Sequence, residues 1–441
     1  MKQKDIIENI ASRLGVEELN DMQRRMAGID RRGTFTLLAP TGSGKTIAFA
    51  IPLLKSLGPS SGHVQAVVIA PARELVIQIA DVIRPIATGL KTVAFYGGHP
   101  MKEELNSLSV TPDIIVATPG RLLDHLNRGG LDLGAVSTLV LDEYDKALEL
   151  GFADEMKKVC RRLTGLRLVM LTSATPLAAI PDYLPASDPV TIDFSQRDTP
   201  RHRMQVVRVE SPSRDKLDTL IELLRSLPDG RVIVFANHRE SVERIHSALR
   251  KASLPAGLYH GGLDQNDREN AIALLANGST PVLVSTDLGS RGLDIPELSA
   301  VIHYHLPVSP EAWTHRNGRT ARQGAGGEVY VITNEGEDIP EFVSFDRDYV
   351  PTGHNDNPIR SDSATLYFNA GKKEKISKGD IVGFLIAQGG LTSGEIGSIV
   401  LRDHSALVAV PRVALESDPS LLQRLNAARI KNTRAKITRM A

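Results

Sequence analysis

At 441 residues, 41% apolar and 24% charged, the chain exceeds one ordinary hydrophobic core and has the make-up of a globular protein of two or three domains. Lys+Arg and Asp+Glu balance at 52 each, so bulk charge points to no polyanionic partner. The single Cys160 excludes an internal disulfide framework and a cysteine-based zinc site, and no apolar run approaches the roughly 20 residues of a membrane span.

The chain opens with "MKQKDIIENIASRLG", which mixes acids with helical spacing and lacks a secretory core, so a cytoplasmic location and no membrane partner are expected. Short apolar runs rich in β-branched residues follow, separated by helical patterns: "TFTLLA" (34–39), "AVVIA" (66–70), "DIIVA" (113–117), "TLVL" (138–141) and "RLVML" (167–171). Cys160, in the helical pattern "EMKKVCRRL", reads as a core or semi-buried thiol. Around 196–212 the pattern breaks at the polar "SQRDTPRHR", which reads as a linker. A second set comprises "RVIVF" (231–235), "PVLVS" (281–285), "AVIHY" (300–304) and "EVYVI" (328–332). Continuous apolar runs alternating with helices predict buried parallel strands, hence two α/β domains over 1–197 and 204–334.

Residues 335–362 carry eight acids against two Arg and read as an acidic, extended linker. From Gly371 the balance reverses, with twelve Lys/Arg against six Asp/Glu, so linker and tail cancel in the total. The tail over 363–441 alternates strand, helix, strand, strand, helix, strand, an α+β domain of RNA-recognition-motif type.

"APTGSGKT" (39–46) lies between an apolar strand and a helix-forming run, the context a phosphate-binding loop needs. Gly42 and Gly44 let backbone N–H groups approach phosphate oxygens at a helix N-terminus. Lys45 supplies charge to the β- and γ-phosphates, and Thr46 a hydroxyl to Mg²⁺. "DEYD" (142–145) at the end of "TLVL" could by itself be a solvated acidic turn. In one domain with a phosphate loop, Asp142 becomes the second Mg²⁺ contact and Glu143 the group that orients or deprotonates the attacking water. Polar clusters also close other runs: "PARELVIQ" (71–78), "TPGR" (118–121), "SAT" (173–175), "STDLGSRGLD" (285–294) and "HRNGRTARQG" (315–324). Open α/β sheets bind ligands beyond the carboxyl ends of their strands. Arg316, Arg319 and Arg322 in the last cluster are either an exposed basic helix or guanidinium groups that stabilise a transferring phosphoryl group.

In this order and spacing the motifs resemble those of the DEAD-box RNA helicases over essentially all of 1–334, with two RecA-like domains. The run "LYFNAGKKEKISKGDIVGFL" from 366 is similar to the C-terminal RNA-binding domain of DbpA-type bacterial helicases. The resemblance implies an RNA-dependent ATPase that remodels RNA, using ATP and Mg²⁺. Gln23 would read adenine, with Thr41, Gly42, Ser43, Gly44, Lys45, Thr46 and Asp294 around the nucleotide and Arg319 and Arg322 as arginine fingers. Asp145, Ser173, Thr175 and His315 would couple hydrolysis to domain closure. RNA backbone contacts would fall to Arg73, Gly98, Thr118, Gly120 and Arg121 in the first domain, and to Gln265, Arg268, Thr286 and Asp287 in the second. Such contacts carry little sequence information. Selectivity would therefore lie in the tail, through Lys372, Lys373, Lys375 and Lys378, for a hairpin of large-subunit ribosomal RNA on pre-ribosomal particles. A monomer is expected. An ATP-gated RNA clamp or assembly scaffold carries the same motifs. The sequence departs from the family at Tyr144, where alanine is usual, at Ala72, where threonine is usual, and near Ile6, where an aromatic residue is usual.

Overall fold

The computed structural model describes the chain except residues 1, 41, 99–100, 177–179, 185–188, 196–203, 291–297, 321–326 and 441. Thr41, Asp294 and Arg322, singled out above, lie outside the described residues. The chain divides into two compact units, the first holding one sheet and the second holding two.

The first unit contains β1 (Gly33–Leu38), β2 (Ala66–Ile69), β3 (Thr92–Phe95), β4 (Ile114–Ala117), β5 (Thr138–Leu141), β6 (Leu168–Ser173) and β7 (Val190–Asp193). They pair in parallel in the order β3-β4-β2-β5-β6-β1-β7. Side chains of a strand alternate between faces, and here both faces are covered. Ala66 and Val68 enter one core, Val67 and Ile69 the other. Each Val or Ile so buried contributes about 1.5–3 kcal/mol. The helix Arg73–Ile86 supplies the cover on one side through Val76, Ile79, Ala80 and Ile83, spaced to one face. Cys160 is buried in the other core, and burial pushes its thiol up to about 12.

The second unit repeats the plan with β8 (Met204–Ser211), β9 (Val232–Phe235), β10 (Ala256–Tyr259), β11 (Val282–Ser285), β12 (Ala300–His303), β13 (Gly327–Asn334) and β14 (Arg347–Asp348), ordered β10-β11-β9-β12-β13-β8-β14. The acidic stretch 335–362, expected as an extended linker, is instead laid against this sheet. Arg347 and Asp348 pair with Val207 and Arg208 as an edge strand, the Asp346 carboxylate accepts the Val206 N–H at 2.7 Å, and the Ser226 hydroxyl accepts Thr352 and Gly353 N–H groups at 2.9 and 2.8 Å. Two of its apolar side chains, Val343 and Ile359, are buried, while Val350 stays exposed. Backbone pairing plus two apolar anchors suffices to dock a segment whose composition alone reads as solvated.

The tail forms β15 (Ser363–Phe368), β16 (Ile399–Leu401), β17 (Ala406–Pro411) and β18 (Ile437–Arg439), antiparallel in the order β16-β17-β15-β18, the expected RNA-recognition-motif arrangement. Ala364, Leu366 and Phe368 alternate into its core, with Phe368 edge-on to Phe384 at 6.3 Å. The middle of the opposite face is also covered, with Tyr367 half-buried and Val400 and Thr438 exposed at its rims. Thr365, Leu407 and Ala409 are 0%, 1% and 5% exposed, and the Thr365 hydroxyl meets Asn277 Nδ2 and Ser279 Oγ of the neighbouring α/β domain, each at 2.8 Å. Arg402, beyond β16, donates to Asn270 Oδ1 at 2.8 Å and lies 3.5 Å from Glu269 Oε2, both on the helix Gln265–Ala276. Among the described residues no helix is long and apolar enough to cross a membrane.

Candidate nucleotide and RNA sites

Parallel pairing brings the carboxyl ends of β5, β6 and β1 side by side. The nucleotide candidates stand there. Gly42 and Gly44 adopt φ of 76° and 87°, a region that costs other residues roughly 1–2 kcal/mol, and the helix Lys45–Ser56 starts immediately after. The closed turn holds the Lys45 ammonium against the Ala39 and Pro40 carbonyls at 2.7 and 3.0 Å. Gln23 reaches the same loop. It shares a capping box with Asn20 and its Nε2 donates to the Gly44 carbonyl at 3.3 Å. A Cβ at Gly44 would stand 2.6 Å from that nitrogen, a second reason for glycine.

Asp142 and Glu143 close β5. The Asp142 carboxylate accepts a hydrogen bond from the Thr172 hydroxyl, whose oxygen in turn accepts the Glu143 N–H at 3.2 Å. Burial pushes the Asp142 carboxyl up, against the opposing pull of Thr172 and Lys45. A buried carboxylate beside a phosphate loop, with the Thr46 hydroxyl in the same loop, is a donor set that suits Mg²⁺, which takes one or two carboxylates plus phosphate and water oxygens. Glu143 is nearly buried and has φ 47°, a strained conformation for a non-glycine residue and one found at functional turns. Thr172, which the motif reading passed over, joins the candidate site through these contacts. Its signal was a hydroxyl inside a fully buried strand, which requires a partner.

The coupling candidates of this unit also meet. The Thr175 hydroxyl donates to Asp145 Oδ2 at 2.8 Å, and the Thr175 N–H reaches the Ser173 hydroxyl at 3.2 Å. Tyr144, the odd residue of the quartet, is 1% exposed in the core beside Cys160 and Leu184, with its hydroxyl 2.9 Å from that of Tyr183. Desolvation, then the Tyr183 contact, raises its pKa, so the phenol stays neutral. Tyr144→Ala should cost about 3–5 kcal/mol of stability through the cavity, yet leave RNA-stimulated ATP turnover within a few-fold. Thermal unfolding and phosphate release measure the two. A folded variant with collapsed turnover would give the phenol a chemical role.

The carboxyl ends of β3, β4 and β2 form the other half of the rim, where the five RNA candidates of this unit converge. Arg73 begins the helix after β2 and packs over Gly98, where a Cβ would stand 2.3 Å from its guanidinium. Thr118, Gly120 and Arg121 open the helix Pro119–Asn127, with the Thr118 N–H on the Phe95 carbonyl at 2.9 Å. Arg121 is paired with Glu104.

In the second unit Gln265 and Arg268 sit on the helix after β10, and Thr286 and Asp287 follow the adjacent β11. The reading of 315–322 as an exposed basic helix does not hold for its described part. His315 and Arg316 are at most 1% exposed, and Arg319 3%. Arg316 is an internal brace. It donates to Asp287 Oδ1 at 2.5 Å, the His305 carbonyl at 2.9 Å and Asn237 Oδ1 at 2.8 Å, over the Phe235 ring. The tail lysines contrast with it. Lys372, Lys373, Lys375 and Lys378 are all exposed, the first three on a turn held to the 402–403 backbone by the Lys372 and Lys373 N–H groups and Lys378 at the start of the next helix. Gly371 is required there, since a Cβ would fall 2.1 Å from the Arg402 carbonyl.

Comparison with known proteins agrees with this layout. Residues 4–182 match the DEAD/DEAH box helicase family, 215–324 the helicase conserved C-terminal domain, and 365–439 the DbpA RNA binding domain. The chain is 36% identical over 399 residues to the ATP-dependent RNA helicase DbpA of Escherichia coli, covering 87% of this chain and 86% of that protein. It is 30% identical over 434 residues to the DbpA of Bacillus subtilis, covering 90% of each. Among solved structures it resembles Saccharomyces cerevisiae Dbp5 bound to RNA and ADP BeF3, with a TM-score of 0.69 at 24% identity, over 79% of this chain and 94% of that one. That last likeness speaks to the fold.

Proposed function

The chain belongs to the DEAD-box ATP-dependent RNA helicases of the DbpA type, and from that premise we propose that it remodels a hairpin-bearing element of large-subunit ribosomal RNA on pre-ribosomal particles, acting as a monomer. The observation that carries the reading is the tail, a DbpA RNA binding domain with four exposed lysines on one turn region and its sheet face covered at Thr365, Leu407 and Ala409. Recognition then falls to loops and lysines, since the covered sheet offers no stacking platform of the usual kind.

In the proposed chemistry Gln23 reads the adenine, while Gly42, Ser43 and Gly44 cradle the phosphates and Lys45 neutralises them. Thr41 and Asp294 complete the nucleotide contacts, as the resemblance implies. Thr46 and Asp142 would hold Mg²⁺, which supplies charge neutralisation at the phosphates when bound. Glu143 takes the proton of the attacking water, Arg319 and Arg322 stabilise the developing phosphoryl charge, and Asp145, Ser173, Thr175 and His315 transmit the nucleotide state. The RNA backbone is followed by Arg73, Gly98, Thr118, Gly120, Arg121, Gln265, Arg268, Thr286 and Asp287, through contacts that position without reading bases.

ATP turnover should be measured with a ribosomal fragment containing a hairpin, an unrelated RNA of equal length, and DNA. The ribosomal fragment should stimulate most and DNA least. Equal stimulation by both RNAs would sink the ribosomal target, and no stimulation by any RNA would sink RNA-dependent turnover.

A further inference from the structure

Glu104 carries no role in the motifs above, yet its carboxylate is the meeting point of the RNA half of the rim. It sits on the short helix Met101–Ser107 and is 3% exposed. One oxygen accepts the Arg121 Nε–H at 2.8 Å and lies 2.5 Å from His125 Nε2, and the other accepts the Tyr96 N–H at 3.2 Å. Arg121 and His125 are four residues apart on one helix, so both face the same carboxylate. The His125 ring is fixed in turn, 1% exposed and stacked on Phe95 at 4.2 Å.

A carboxylate this deeply buried is costly unless its lone pairs are satisfied. Burial would push Glu104 up, but the donors from His125, Arg121 and Tyr96 outweigh it and hold the group below the usual glutamate range. The anion is therefore permanent at neutral pH, and its position is set from three segments: the end of β3 with the following Gly97–Gly98 turn, the helix 101–107, and the helix 119–127. A guanidinium anchored at Nε keeps its planar orientation and loses less rotamer entropy on meeting a phosphate.

We propose that Glu104 is a positioning residue for RNA: it preorganises Arg121 toward the RNA backbone and locks the 96–98 turn to the 118–121 turn. The inference rests on the reading of Arg121 as an RNA contact. Glu104 touches neither RNA nor nucleotide in this account and acts only through Arg121 and the turn.

The test is a double-mutant cycle in the full chain, read by binding of a fluorescein-labelled single-stranded RNA lacking any hairpin, with AMP-PNP present. Arg121→Ala should weaken half-saturation about 10-fold and Glu104→Ala by a similar factor. The double variant should be no worse than about the larger single effect. Glu104→Gln, which keeps one acceptor oxygen for Arg121, should recover part of the loss. In Glu104→Ala and Glu104→Gln, RNA-free ATP turnover and the ATP half-saturation should stay at the parent values, which a general loss of structure would not allow. Strict additivity of the two alanine variants, or parent-like RNA binding by Glu104→Ala, overturns the inference while leaving the Arg121 contact intact. Parent-like binding by Arg121→Ala overturns both.

Discussion

Glu143→Gln should lower RNA-stimulated ATP hydrolysis by about 100-fold or more, the scale of a general base, while ATP binding survives. The change is nearly isosteric, which matters at this position. Glu143 is almost buried, holds φ 47°, and anchors its N–H on Thr172. Gln can occupy the same turn and keep the Asp142–Thr172 contact, so only proton affinity is removed. Phosphate release at saturating RNA gives the rate, and titration with a fluorescent ATP analogue gives the affinity. An unchanged rate would refute the assignment of Glu143.

Lys45→Ala should fail earlier in the cycle. The Lys45 ammonium rests on the Ala39 and Pro40 carbonyls, at the N-terminus of a helix that begins with the left-handed Gly44. It is placed to exchange those carbonyls for phosphate oxygens. A charge-assisted hydrogen bond is worth about 1.5–3 kcal/mol, so ATP affinity should fall about 10- to 100-fold, with turnover lost at ordinary ATP concentrations. The same ATP-analogue titration separates the variants, because Glu143→Gln leaves affinity near the parent value and Lys45→Ala does not. Parent-like affinity in Lys45→Ala would remove that residue from the nucleotide site.

In the two large sheets, every strand legible in the sequence has two neighbours. β2, β4 and β5 in the first sheet, and β9, β11 and β12 in the second, are apolar on both faces and stand out as continuous runs. The edge strands do not. β7 has three of its four residues exposed, β14 is two charged residues, and β3 and β10 mix buried with half-buried positions. An edge strand is covered less completely, so its composition carries less of the signal. The nucleotide candidates stood out for a related reason: glycines, lysine and acids at a strand end obey local rules of turn geometry. Thr172 and Glu104 obey none. Each acts by meeting residues distant in sequence, Thr172 with Asp142 and Glu104 with Arg121. The docking of 335–362 was hidden likewise, because backbone pairing leaves little trace in composition.

The covered face of the tail sheet has a consequence for substrate geometry. Arg402 clamps the tail to the helix Gln265–Ala276, and Thr365 clamps it to Asn277 and Ser279 just beyond that helix, whose first turn carries Gln265 and Arg268. Under the proposed function, in which the tail lysines hold a hairpin, that hairpin sits at a set offset from those two residues, with no slack tether between. On that proposal the molecule is a ruler: the stretch of strand offered to the helicase core is chosen by its spacing from the hairpin, and the base sequence of that stretch need not be read at all.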